Sequence, residues 1–315
     1  MKPAMVVTLG ETMGLLRAKE AGPLEHISDF ALHIGGAESN VAIGVARLGG
    51  SSAWMGRVGD DGIGRLVVRE LRAEQVLVHA VVDPLARTAI MLKETPAPGV
   101  TRVLYYRSDS AGSQLSPSDL DRDLIAQAAM LHVTGITLGL SGSAADAVRT
   151  AVDVAVDAGV PVSFDVNHRA TLWGSRDPRE HYLEIAQRAD VIFAGDDEAA
   201  LLVGPGEPHE LVAGLVGLGP SQAIVKLGAQ GCVASIDGVL LDAAAVPVRV
   251  VDTVGAGDAF VAGYLSALLE QAPADARLLR AVRCGALACL GPGDWESLPR
   301  SAELDLIGSQ DPVAR

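Results

Sequence analysis

Apolar residues recur along the chain in two rhythms: short runs of a few residues, and longer stretches spaced by three and four. The short runs at 5–9, 53–58, 130–133, 162–165, 191–194 and 223–227 read as strands, the first of them buried and central in its sheet. Between them, 41–48, 63–74, 143–157, 178–188, 197–202 and 209–218 carry helical stripes, and 259–270 and 278–290 predict two closing apolar helices. Such alternation predicts an α/β fold, a mostly parallel sheet with helices on both faces. Further β-runs at 231–236, 239–241 and 246–251 lead into the last helices. One region departs from the plan. Phe30, Leu32 and Ile34 alternate with Ala31 and His33, and β-prone runs at 88–92 and 102–106 flank Pro96-Ala97-Pro98-Gly99, a turn signal. These predict a small lid sheet built from about 12–36 and 86–112 on a single domain spanning 1–315, with edge strands of the main sheet as the alternative.

Composition narrows the function classes. A chain of 315 residues at 49% hydrophobic content can bury a large core, so disorder is excluded. Aromatic residues are scarce, which leaves Val, Leu, Ala and Ile to pack helices on the sheet. The formal charge of -14, with no Lys/Arg-rich run, argues against nucleic acid as a partner. Small anions stay admissible, because a few arginines and helix N-termini make a local positive pocket in an acidic protein. Cys232, Cys284 and Cys289 show no CxxC spacing and read as buried thiols, and the seven histidines lack zinc-ligand spacing. The first ten residues do not form a signal peptide and no run reaches membrane-spanning length unbroken, so a cytoplasmic protein with no membrane partner is expected.

Candidate chemistry concentrates after predicted strands, where open α/β sheets bind ligands. Foremost is 250–260: two valines, the small-residue turn Gly255-Ala256-Gly257, then Asp258 opening a helix with Phe260, Val261, Tyr264, Leu265, Leu268 and Leu269 at helical spacing. The turn amides can approach an anion closely, and the helix behind them adds partial positive charge. Asp258 reads either as a carboxylate favoured by the helix dipole or as a general base beside a phosphoryl held by those amides. Glu11 and the 195–198 loop also follow strands. Gly35-Gly36-Ala37-x-x-Asn40 combines backbone freedom with an amide suited to hydroxyls, Asn40 being otherwise an N-cap. Asp165, Asn167 and Arg169 share a side if their strand continues, with Arg169 as an anion clamp or a surface salt-bridge partner. Tyr105 and Arg107 share a face at period two. No Rossmann fingerprint or Walker A sequence is present, so a metal, if used, is Mg²⁺ carried on nucleotide phosphates.

With these residues assembled, the chain resembles the ribokinase-like (PfkB) carbohydrate kinases over essentially its whole length. Gly35-Gly36-Ala37-Glu38-Ser39-Asn40 through Leu48-Gly49, with 56–64 behind it, matches the N-terminal signature, and Asp252-Thr253-Val254-Gly255-Ala256-Gly257-Asp258-Ala259-Phe260 the C-terminal one. The resemblance implies a three-layer α/β/α domain with a β-sheet lid, transferring the γ-phosphoryl of ATP to an alcohol with Mg²⁺. It implies Asp258 as base, the Gly255, Ala256 and Gly257 amides as anion hole, and Glu198 acting on the metal through water. The usual Asn three positions before that glutamate is Gly195 here. Lys226-x-Gly228-x-x-Gly231 matches the segment lying along the nucleotide.

Within the family the chain is most similar to 2-keto-3-deoxygluconate kinases. Asp165-x-Asn167-x-Arg169-x-x-Leu172-Trp173, Tyr105-x-Arg107 followed by Ser110-Ala111-Gly112-Ser113, and Gly293-Asp294-x-Glu296-x-x-Pro299 carry that likeness. The expected reaction makes the 6-phosphate, with Gly35, Gly36, Asn40, Tyr105, Arg107, Asn167 and Arg169 binding substrate and Lys226, Gly228, Gly231, Gly255 and Gly257 the nucleotide. Met91 stands where such kinases often carry a sugar-contacting tyrosine, which keeps a neutral sugar such as fructose or ribose as the alternative. A non-catalytic sensor is a further reading, and a homodimer through the lid is expected.

Overall fold

A computed structural model describes residues 4–97 and 100–307. In chain order its strands are β1 (Met5–Leu9), β2 (Met13–Ala18), β3 (Phe30–Gly35), β4 (Ser51–Gly59), β5 (Leu77–Asp83), β6 (Ile90–Ala97) and β7 (Val100–Tyr106), followed by β8 (Met130–Thr134), β9 (Val162–Asp165), β10 (Val191–Gly195), β11 (Gln222–Lys226), β12 (Cys232–Ile236) and β13 (Val239–Ala243). Nine of them form one sheet in the order β13-β12-β11-β10-β9-β8-β1-β4-β5. From β11 to β5 every neighbour is parallel, and β12 and β13 extend the edge antiparallel. β8 and β9 are buried throughout, their polar residues His132, Thr134, Ser163 and Asp165 included, and helices cover both faces. One face holds the core around Phe164, Tyr182 and Ile192, and the other packs the Ala256–Leu269 helix through Phe260, Tyr264 and Leu265. The order reverses between β1 and β8, so a crevice opens at the carboxyl ends of these strands.

The separate small sheet has the order β3-β2-β6-β7, and edge strands of the main sheet are thereby excluded for these segments. Met13, Leu15, Ala89 and Met91 form its own apolar cluster. Pro98 and Gly99 of the expected turn lie outside the described residues, but β6 and β7 pair antiparallel around it. Among the described residues no helix is long and apolar enough to cross a membrane.

Two sequence expectations change, and one strand not expected from the sequence is added. The run 246–251 is not a strand: Val250 and Val251 are more than half exposed, and the Val251 N–H bonds the Cys289 carbonyl instead of a sheet neighbour. β5 joins the main sheet beside β4 although its alternation is blurred by Val81-Val82. Cys232 and Cys284 are buried thiols, whereas Cys289 is only half-buried.

Candidate active site

A cleft of about 430 Å³ lies at the switch point, between the carboxyl ends of the central strands and the inner face of the small sheet. Its polar lining comes from the ends of β1 (Glu11), β10 (Gly195, Glu198) and β11 (Lys226), and from the segment after β9 (Asn167, Arg169). The 253–258 loop with Asp294 forms one wall, and Met91, Lys93, Tyr105 and Arg107 hang from β6, β7 and the residue beyond.

Asp258 sits in the first turn of the Ala256–Leu269 helix and is 8% exposed. Asn40 Nδ2 donates to its Oδ2 at 2.8 Å, and Asn167 Nδ2 approaches Oδ1 at 3.5 Å. Asn40 is therefore not the N-cap of its helix Ala37–Arg47; Gly36 holds that place, and a Cβ there would come within 2.4 Å of the Glu11 carbonyl oxygen. With Nδ2 spent on Asp258, Asn40 Oδ1 is buried without a partner among the described residues, an acceptor for a ligand hydroxyl. Burial pushes the Asp258 carboxyl up to about 7; the nearby Asp294 and Asp165 add to this, and Asn40 and Arg169 oppose it. A carboxylate poised there can take a proton near neutral pH, which a merely dipole-stabilised aspartate would not need to do.

The turn ahead of Asp258 depends on Gly255, which has φ 79° and closes against Asp294, whose carbonyl oxygen would lie 1.9 Å from an added Cβ. The Ala256 N–H is taken by the Thr253 carbonyl at 3.2 Å. Gly255 and Gly257 N–H find no acceptor among the described residues and line the cleft, as a helix start allows. The expected three-amide hole is thus reduced to two free donors in this conformation.

Lys226 makes a bidentate contact with the buried Asp165, at 2.8 and 3.0 Å. Burial is the largest influence and works against its charged form, but the carboxylates of Asp165, Glu198 and Asp258 together outweigh it and the net shift is upward. Asp165 therefore spends its charge on Lys226 and does not face a ligand with Asn167 and Arg169. The strand does not continue either: Asn167 has φ 37°, and the His168 N–H turns to Glu198 Oε1 at 2.7 Å. The turn still delivers Asn167 and Arg169 to the cleft. Glu198 Oε2 accepts from the Gly195 N–H at 2.7 Å, so this carboxylate clamps two loops. No group of three or more His, Cys, Asp or Glu could hold a metal among the described residues. Mg²⁺ needs no such group, since it keeps its waters and rides on phosphates with one or two carboxylates; Glu198 is a carboxylate lining the cleft.

Arg107 and Tyr105 both reach the cleft, with the guanidinium 5.5 Å from the ring centre. Arg107 Nε and Nη2 also bond Glu11 Oε2, at 2.8 and 2.6 Å, and Ser110 bonds the other oxygen of that buried carboxylate. Arg169 differs. Its hydrogen bond is to the His168 carbonyl at 3.1 Å, and it has no ion pair among the described residues. Gly35 and Ala256 fall outside the cleft lining, as do Gly228 and Gly231, which shape the β11–β12 turn with φ 56° and 98°. Sequence reasoning gave no site role to Asp294 or Lys93. Lys93 follows Met91 at period two on β6, the parity that carries residues to the inner face.

The pfkB family carbohydrate kinase pattern matches residues 3–300. The chain belongs to this family. The kinase is 37% identical over 308 residues to a 2-dehydro-3-deoxygluconokinase of Bacillus subtilis (strain 168), covering 95% of this chain and 93% of that one. It is 38% identical over 306 residues to a protein of the same description from Thermoproteus tenax, with the same shares covered. Its fold superposes on a putative ribokinase II from E. coli, solved in complex with ATP and Mg²⁺, with a TM-score of 0.90 at 26% identity, over 96% of this chain and 98% of that one.

Proposed function

We propose that this carbohydrate kinase phosphorylates 2-dehydro-3-deoxygluconate, or a close 2-dehydro-3-deoxy sugar acid, at its terminal hydroxyl with ATP. The observation that carries the acid substrate is Arg169, a guanidinium in the sugar cleft that bonds only a backbone carbonyl and forms no salt bridge among the described residues, its charge being felt by Asp258 at longer range. An aldonate carboxylate would supply that salt bridge through charge-assisted hydrogen bonds. The relatives from Bacillus subtilis and Thermoproteus tenax support the same substrate class.

In this reading Asn40 Oδ1 and Asn167 receive sugar hydroxyls, and Asn40 Nδ2 orients Asp258. Asp258 takes the acceptor proton as the oxygen bonds the γ-phosphorus and ADP leaves, so that charge and atoms balance. The Gly255 and Gly257 N–H groups hold the transferring phosphoryl, and Lys226 meets the phosphates of the nucleotide. Bound Mg²⁺ would offset phosphate charge beside Glu198. The small sheet acts as a lid that excludes water from the transfer. A cytoplasmic setting belongs to this reading.

Arg169→Ala is expected to raise KM for 2-dehydro-3-deoxygluconate by about 10- to 100-fold, the worth of a hydrogen bond to a charged group, and to leave fructose kinetics unchanged. A coupled ADP-release assay over both substrates checks this. One observation favours a neutral sugar instead: the Arg107 charge is already held by Glu11. Higher kcat/KM for fructose than for the acid, with no Arg169 effect, would establish that alternative.

A homodimer through the lid is part of the proposal. Leu32, Leu16, Leu92 and Leu104 stand in register across all four strands of the small sheet, on the face opposite the cleft. Leu32 is 48% exposed and Tyr106 64%. A second copy offering the same face would bury that row. Leu32→Glu is expected to shift the protein from dimer to monomer in sedimentation velocity; a wild-type monomer at all concentrations would end this part of the reading.

A further inference from the structure

Lys93 is 4% exposed, an unusual burial for a lysine, and it belongs to the small sheet. Its ammonium leaves that sheet to bond the Gly293 carbonyl at 2.9 Å and to pair with Asp252. Asp252 opens the loop that ends in Gly255, Gly257 and Asp258, and its Oδ1 accepts the Val254 N–H at 3.1 Å. Gly293 precedes Asp294, whose carbonyl lies against Gly255. One side chain therefore ties three segments together at the point where two free amides face the cleft.

The charge pattern gives this tie a purpose. Asp258 and Asp294 line the cleft, Asp165 and Asp252 lie close enough behind them for their charges to be felt, and two ammonium groups answer the hidden pair, Lys226 on Asp165 and Lys93 on Asp252. Burial pushes Asp294 up to about 6, and Lys93 is the strongest influence in the other direction. A phosphoryl group arriving beside unpaired carboxylates would be repelled.

We propose that Lys93 is a positioning residue for phosphoryl transfer, a cation carried by the small sheet that fixes the 252–257 loop and offsets its acidic surroundings. The proposal rests on reading that loop as the anion-binding loop of a kinase. Because the ammonium comes from the small sheet and its targets from the main domain, closing that sheet and completing the anion site are one event. Lysine suits the place because a compact charge with several donors can serve a carboxylate and a carbonyl at once.

Lys93→Ala should lower kcat for the sugar acid by about 100-fold, the scale of losing one anion-hole donor, with KM for the acid changed less than about threefold. It also leaves a hole lined by a carboxylate and a carbonyl oxygen, so ammonium or methylammonium chloride should restore at least about tenfold of the loss. Wild type should gain nothing from either salt. A kcat within about threefold of wild type, or a loss that the small cations do not relieve, overturns the proposal. If Lys93→Ala fails to fold, Lys93→Met fills the space without the charge, and its kcat is expected to show the same loss. Wild-type turnover is measured first. If wild type phosphorylates no sugar or sugar acid, the functional reading falls, and calorimetry with ATP and adenosine decides on Lys93. ATP affinity reduced about tenfold with adenosine affinity unchanged supports the tie, and unchanged ATP affinity refutes it.

Discussion

Asp258→Asn is expected to lower kcat by about a thousandfold or more, the upper range for removing a general base, and to leave the Kd for the sugar acid within about threefold of wild type. The amide keeps the size of the carboxylate and can still accept from Asn40, whose Nδ2 lies 2.8 Å from Asp258 Oδ2. Steady-state kinetics with calorimetric sugar binding checks both halves, and near wild-type turnover would remove Asp258 from the mechanism. The pH profile follows from the same carboxyl, pushed by burial up to about 7. Since the base must be ionised, kcat/KM for wild type should fall with unit slope as pH drops below about 7, and the Asn variant should lose that limb. The stability sign runs the other way. A folded pKa raised above the unfolded value favours the folded state at low pH, and that advantage is lost as pH rises through about 7. Asp258→Asn should therefore melt about 2–4 °C higher than wild type at pH 8. If Asp258 is the base proposed here, its carboxylate is held at a cost to the fold, as functional groups often are.

Gly255→Ala is expected to reduce kcat by about 100- to 1000-fold, the loss seen when one oxyanion donor is displaced. At φ 79° any side chain is strained, and the added Cβ would fall 1.9 Å from the Asp294 carbonyl oxygen. The turn must therefore swing away from Asp294, taking the Gly255 N–H out of the cleft. Gly257→Ala meets nothing nearer than Lys226 Nζ at 3.8 Å, so its Tm should match wild type while that of Gly255→Ala drops. Differential scanning calorimetry beside the ADP-release assay separates the two. Equal Tm and equal kcat for both variants would show that the close approach at Gly255 does not hold the turn.

The two acidic neighbours of this turn have different chemistry. Asp252 is paired with Lys93 and Asp294 is not ion-paired among the described residues, although the two belong to adjoining loops. Only the tertiary contacts create that difference. In the sequence Asp252 stands between Val251 and Thr253 and Asp294 between Gly293 and Trp295, and nothing local says that the distant Lys93 reaches one of them.

What the sequence determined by itself was everything carried by local rules. A run such as 191–194 is a strand wherever it sits, because two-sided burial demands an unbroken apolar segment. The alternation of strand and helix fixed the α/β layers, and the glycine turn ahead of Asp258 fixed a helix start whose Gly255 and Gly257 line the cleft. Where local rules misled, longer-range bonds had intervened. The valines at 246–251 have strand propensity, yet their neighbour in space is the loop at Cys289, so no ladder forms. Asp165 looked like a ligand contact until Lys226 from the next-but-one strand claimed it. Arg107 and Arg169 were both expected to bind substrate, and the fold gave Glu11 to one and no salt bridge among the described residues to the other. Charge pairing decides which polar group is free to act, and it is set by distances between segments far apart in the chain; that is why the tertiary structure alone could assign it.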